Sequence, residues 1–147
     1  MKLRKLIGEL INGVHGEKVR FLLAGGLNTV AAYGLFALGF WLLTPVFSGL
    51  ENSYLLIQWI MWVISVPFGA LTLKYFAFRA EGSYWRQLPR AYLVYLPVQL
   101  ITSGLLALFT LVIGLHPLIG QLLAISIAVV MSYLGHKYFT FRKTSDI

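Results

Sequence analysis

The chain has 147 residues, 59% of them apolar and 12% charged, where a soluble domain carries about 45–50% apolar and about 25% charged residues. That length suits one modest domain, and that composition excludes a soluble globular fold. Cysteine is absent, which excludes disulfides and thiolate chemistry. The net charge of +7 reads as loops facing one side of a membrane rather than as a nucleic-acid surface.

In chain order, Leu3, Leu6, Ile7, Leu10, Ile11 and Val14 recur at helical spacing, with Lys2, Arg4, Lys5 and Glu9 elsewhere on the turn. This predicts an amphipathic helix lying in the membrane interface over residues 1–17. The basic start lacks a short apolar core with a small-residue cleavage site, so no cleavable signal is expected. No charged residue occurs between Arg20 and Glu51, and none between Ala91 and His136 except histidine. A span needs about 20 apolar residues. The first run therefore holds one helix, 21–43, ended by Thr44-Pro45, and a second span follows at 54–76. The run after 91 is long enough for two, broken at "GLHP", which gives spans 91–113 and 118–139. The expected transmembrane domain is 18–143, followed by a short tail, 144–147.

All twelve lysines and arginines fall in the N-terminal segment, the loop after the second span, or the C-terminus. These places share one side of a four-span chain, so both termini are expected in the cytoplasm.

Residues 65–79, "SVPFGALTLKYFAFR", align with 128–142, "AVVMSYLGHKYFTFR", at a constant offset of 63. Ser65 and Gly69 match Ala128 and Ser132, a small-xxx-small pair in each copy. Arg90 before the third span resembles Arg20 before the first. The fold expected is thus all-α, two tandem helical hairpins in parallel repeat. The repeated "KYFxFR" has two readings. Either it anchors helix ends by cations and an aromatic belt, or it binds a lipid phosphate at the cytoplasmic rim. The second reading selects Arg20, Lys74, Arg79, Arg90, Lys137 and Arg142, with Tyr75, Phe78, Tyr138 and Phe141 as the aromatic rim.

Asn28 and Gln99 lie about 12–14 Å inward of the basic entrance at 1.5 Å per residue. With Ser132 and His136 they mark a polar pathway; interhelical hydrogen bonding is the plainer account of such residues. Pro67 and Pro97 are expected to kink their helices and free carbonyls. No acid lies within a span, no nucleophile pairs with a base, and no ligand cluster suits a metal. An acid-coupled exporter, an enzyme, a metal and an organic cofactor are all unexpected.

"RFLLAGGLNTVAAYGLF" from Arg20, "KYFAFR" and "SYLGHKYFTFR" resemble the GtrA-like family over about residues 18–143. The resemblance implies movement of a polyprenyl-phosphate-linked sugar, such as undecaprenyl-phosphate glucose, across a bacterial inner membrane for cell-surface polysaccharide synthesis. It implies, alternatively, a scaffold for a partner glycosyltransferase. The matching positions are Arg20, Asn28, Lys74, Phe78, Lys137 and Phe141. The family often has asparagine where this chain has Gly69, Ser132, Leu73 and His136. Four short helices enclose little volume, which predicts a homo-oligomer, a dimer. No nucleic-acid partner is expected.

Overall fold

The computed structural model describes residues 1–13 and 15–135, without the side chains of 132–135. The described residues are helical throughout apart from short connections, and they divide into two compact units, Met1–Leu96 and a second that begins at Pro97.

In the first unit, helix α1 spans Lys2–Asn12 and α2 spans Gly16–Leu43. Between them the Gly13 amide donates to the Glu9 carbonyl, and the Gly16 amide to the Gly13 carbonyl at 2.8 Å. This tight turn needs Gly16: a Cβ there would lie 2.2 Å from the Ile11 carbonyl oxygen. After a turn that ends at Asn52 in the left-handed region (φ 56°), α3 spans Ser53–Thr72. Arg20 meets Ala77, Phe21 meets Phe78, and Asn28 meets Gly69. At the far end Gly39 faces Met61. The pairs run in opposite directions, so α2 and α3 form an antiparallel hairpin. Its interior is made of Ala24, Phe36, Ile57 and Val66.

The α3 helix ends in a π-helical turn, Leu73–Ala77, where the Phe78 amide reaches the Leu73 carbonyl at 2.9 Å. Helix α4 spans Tyr84–Ala107 and passes from the first unit into the second. Pro67 has no amide, so the Val63 carbonyl loses its intrahelical donor. The Tyr92 hydroxyl of α4 donates to it at 2.6 Å, and the Tyr84 hydroxyl donates to the Pro67 carbonyl at 2.7 Å. Trp59, Trp62 and Tyr92 continue this seam edge to face, with ring centroids 5.4 and 5.5 Å apart.

In the second unit the end of α4 runs into another π-helical turn, Leu108–Val112, and a left-handed Gly114 (φ 79°). Helix α5, Pro117–Gly135, then packs back, with Gly120 against Leu106 and Thr110. Leu106 and Ala124 are fully buried.

Buried positions include Gln58, Lys74, Gln99, Thr102 and Gln121, while Val30, Leu42, Val63, Leu93 and Val94 lie exposed. Polar groups inside and aliphatic ones outside reverse the order of a water-soluble bundle. Three helices, Gly16–Leu43, Ser53–Ala77 and Tyr84–Val112, are long and apolar enough to cross a membrane; a fourth apolar stretch, Pro117–Met131, is shorter. This fits a multi-pass membrane location. The helices overrun the expected spans at their N-terminal ends, starting at Gly16 and Tyr84 rather than at 21 and 91. Apolarity measures the hydrocarbon, whereas the backbone continues helical into the polar flank.

Two expectations follow. Gly16→Ala forces its Cβ into backbone, so it should expose Lys2 and Arg4 to trypsin faster than wild type. Gly39→Ala meets only the flexible Met61 side chain and should not. Tyr92→Phe leaves the Val63 carbonyl unpartnered, and equilibrium unfolding in mixed micelles should show a loss of about 0.6–1.7 kcal/mol.

Candidate functional site

The base of the α2–α3 hairpin gathers the cations. Arg20 stands one turn inside α2. Its Nε donates to the Ala77 carbonyl at 3.1 Å, and its Nη1 donates to the Ile11 carbonyl at the end of α1. One guanidinium thus ties together α1, α2 and the π-helical turn. A planar fork suits this task because its donors diverge at fixed angles.

Lys74 lies within that π-helical turn and is buried, 6% exposed. Its ammonium donates to the Ala80 carbonyl at 3.1 Å, the Gly82 carbonyl at 2.7 Å and Gln87 Oε1 at 3.2 Å. An ammonium has three donors, and here each has an acceptor. The Tyr75 ring lies 5.6 Å from the same nitrogen. Gln87 also donates through Nε2 to the Glu81 carbonyl, closing the loop that joins the π-helical turn to α4. Lys74 therefore folds this loop, and its charge reaches the surface as field.

Arg79 adopts a positive φ of 50° and is exposed; its Nη2 donates to Asn12 Oδ1 at 3.2 Å. Phe78 packs against Phe21 with centroids 5.7 Å apart. Tyr75 and Arg90 are exposed. Every hydrogen bond from Arg20, Lys74 and Arg79 among the described residues goes to an uncharged oxygen. Their charges are solvated but not neutralised by these partners.

Further in, Asn28 donates from Nδ2 to the Gly69 carbonyl at a long 3.4 Å, and its buried Oδ1 has no partner. Gln99 belongs to the second unit, where it is buried and donates to Ser103 Oγ at 3.3 Å. Ser132 lies in α5. His136, Lys137, Tyr138, Phe141 and Arg142 lie outside the described residues. The structure thus brings together Arg20, Lys74, Arg79, Tyr75, Phe78 and, farther along the hairpin, Asn28. Among the described residues no cluster of His, Cys, Asp or Glu could hold a metal.

Sequence reasoning missed the polar partners Asn12, Gln87, Tyr84 and Tyr92. Tyr84 and Tyr92 had a faint signal, since Pro67 implies an orphaned carbonyl that some hydroxyl must satisfy. Nothing in the linear pattern says which.

An all-helical hairpin with aliphatic outer faces and a basic aromatic base defines a polytopic membrane protein rather than a soluble bundle. The chain belongs to the GtrA/DPMS transmembrane-domain family, whose pattern matches residues 20–146. No curated protein and no solved structure matches it.

Lys74→Met keeps the unbranched stem and removes all three donors. Hydrogen exchange in the peptide covering 79–90 should accelerate by about tenfold or more, the scale of hydrogen bonds to a charged group. Arg79→Gln should leave that exchange unchanged.

Proposed function

We propose that this protein moves a polyprenyl-phosphate-linked monosaccharide, such as undecaprenyl-phosphate glucose, from the cytoplasmic to the outer leaflet for cell-surface polysaccharide synthesis. The observation that carries the reading is the gathering of Arg20, Lys74 and Arg79 at one end of the hairpin, all on uncharged acceptors. Such a cluster attracts the single negative charge of a phosphodiester. Phe21 and Phe78 offer an apolar wall beside it. Arg90, Lys137 and Arg142 complete the rim in this reading, with Tyr138 and Phe141 as further aromatic members. Asn28, Gln99, Ser132 and His136 supply the polar pathway for the sugar, while the prenyl tail stays in lipid.

The same reading makes the chain two tandem hairpins in parallel repeat. It sets both termini in the cytoplasm of a bacterium and the spans in its inner membrane. It lays α1 in the interface, with Leu3, Leu6, Ile7 and Leu10 exposed and turned to lipid. The unit of function is a dimer without cofactor or covalent chemistry. Movement runs down the gradient set by synthesis inside and consumption outside.

The exposed apolar side chains of α1 also favour a second reading, a scaffold on which a membrane glycosyltransferase docks.

The test is leaflet exchange in proteoliposomes. Wild type should equilibrate polyprenyl-phosphate glucose labelled in one leaflet. Arg79→Gln/Arg90→Gln removes two exposed charges worth about 1 kcal/mol each toward an anionic lipid, so its initial rate should fall about ten- to thirtyfold. Binding without exchange, together with a transferase that co-purifies only when α1 is present, would establish the scaffold instead.

A further inference from the structure

The π-helical turn closes on a residue its backbone does not favour. The Ala80 amide turns back to the Lys74 carbonyl at 2.9 Å, and between them Arg79 takes φ 50°. A helix end that closes through a left-handed residue favours glycine, which has no Cβ to crowd the backbone. Here the position holds an arginine, and strain kept at such a place points to a use for the side chain. Arg79 is exposed, and its Nη2 donates to Asn12 Oδ1 at 3.2 Å. Asn12 is the last residue of α1, and the carbonyl of its neighbour Ile11 holds Arg20. Two guanidiniums therefore meet the same end of α1, one from α2 and one from the π-helical turn. Among the described residues neither meets a carboxylate. A guanidinium carries five N–H donors in a planar fork. One bond from Nη2 engages one edge of that fork and leaves another two-donor edge of Arg79 open. Lys74, by contrast, has all three donors taken.

We propose that Asn12 is a positioning residue for a lipid phosphodiester. It holds the Arg79 guanidinium by one edge, and the open edge takes two phosphate oxygens side by side, the geometry in which arginine binds phosphate most strongly. An amide oxygen suits this task because it fixes the fork without bringing a counter-charge, as a carboxylate would. The end of α1 is then a part of the site as well as of the anchor. All the residues concerned belong to the first compact unit. This inference rests on the lipid-linked sugar reading and adds to it a residue from α1. Phosphatidylglycerol carries the same phosphodiester charge, so the test separates the two lipids.

The experiment is equilibrium binding to the full chain in phosphatidylcholine nanodiscs, with polyprenyl-phosphate glucose and phosphatidylglycerol as probes. Thermal unfolding and the rate of tryptic cleavage within α1 are measured beside it. Wild type should bind polyprenyl-phosphate glucose. Arg79→Gly relieves the backbone, so its unfolding temperature should be no lower than that of wild type while its affinity falls about tenfold or more, the scale of hydrogen bonds to a charged group. Asn12→Ala should lower affinity about three- to tenfold. Asn12→Asp keeps the acceptor oxygen and adds a counter-charge, so affinity should fall at least as far as in Asn12→Ala while cleavage of α1 is no faster than in wild type. A bond that only docks α1 predicts the reverse: affinity within twofold of wild type in Asn12→Asp and a lowered unfolding temperature in Arg79→Gly. That result overturns the positioning role and leaves the proposed function standing. Equal binding of both lipids, with the same losses in the variants, upholds the role of Asn12 and counts against the proposed function. Wild type that binds neither lipid overturns both.

Discussion

Backbone carbonyls set the terms of this structure. A helix that ends, kinks or widens at a membrane leaves carbonyl oxygens without amide donors, and hydrocarbon offers nothing in their place. In the first unit side chains meet that need one by one. Arg20 serves Ile11 and Ala77, Lys74 serves Ala80 and Gly82, Tyr92 serves Val63, and Tyr84 serves Pro67. These bonds join α1, α2, α3, the loop after the π-helical turn and the start of α4. The apolar contacts between α2 and α3 define which helices are neighbours; the cations and hydroxyls define how their ends meet.

The same bonds explain why a chain with so few charges places them here. A lysine that ends on carbonyls and an amide oxygen has no counter-charge among those partners, whereas one paired with a carboxylate forms a pair of no net charge. Structural and electrostatic duties are thus compatible in one residue. The stem and its donors order the loop, and the field extends beyond it. The price is geometric: Lys74 has no donor left for an incoming anion, so direct contact falls to groups with spare hydrogen-bonding capacity.

Much of this was readable in the primary sequence because burial and charge are recorded residue by residue. The long uncharged runs gave the helices, and "KYFAFR" pointed to the helix end where Lys74, Phe78 and Arg79 stand. What was not readable depends on contacts distant in sequence. Arg20 and Ala77 are 57 positions apart, and Tyr92 and Val63 are 29 apart. Neither pairing follows from a local rule. The burial of Lys74 was equally hidden, because hydrophobicity scales treat lysine as a surface residue whatever carbonyls surround it.

The π-helical turn has a consequence for how faces are counted along α3. In an α-helix Lys74 and Phe78, four apart, would share a face. Here the hydrogen bond runs from Phe78 to Leu73, five residues back, so each turn holds more residues and each residue turns the chain through a smaller angle. Lys74 is directed into the loop while Phe78 is directed to Phe21 on α2. The phase of a periodic signal therefore shifts at Leu73. Labelling patterns, solvent-access profiles or substitution tolerances measured along this helix obey one angular frequency before that residue and another after it. A single helical wheel drawn through "LTLKYFAFR" at one angular step accumulates a phase error from Leu73 onward.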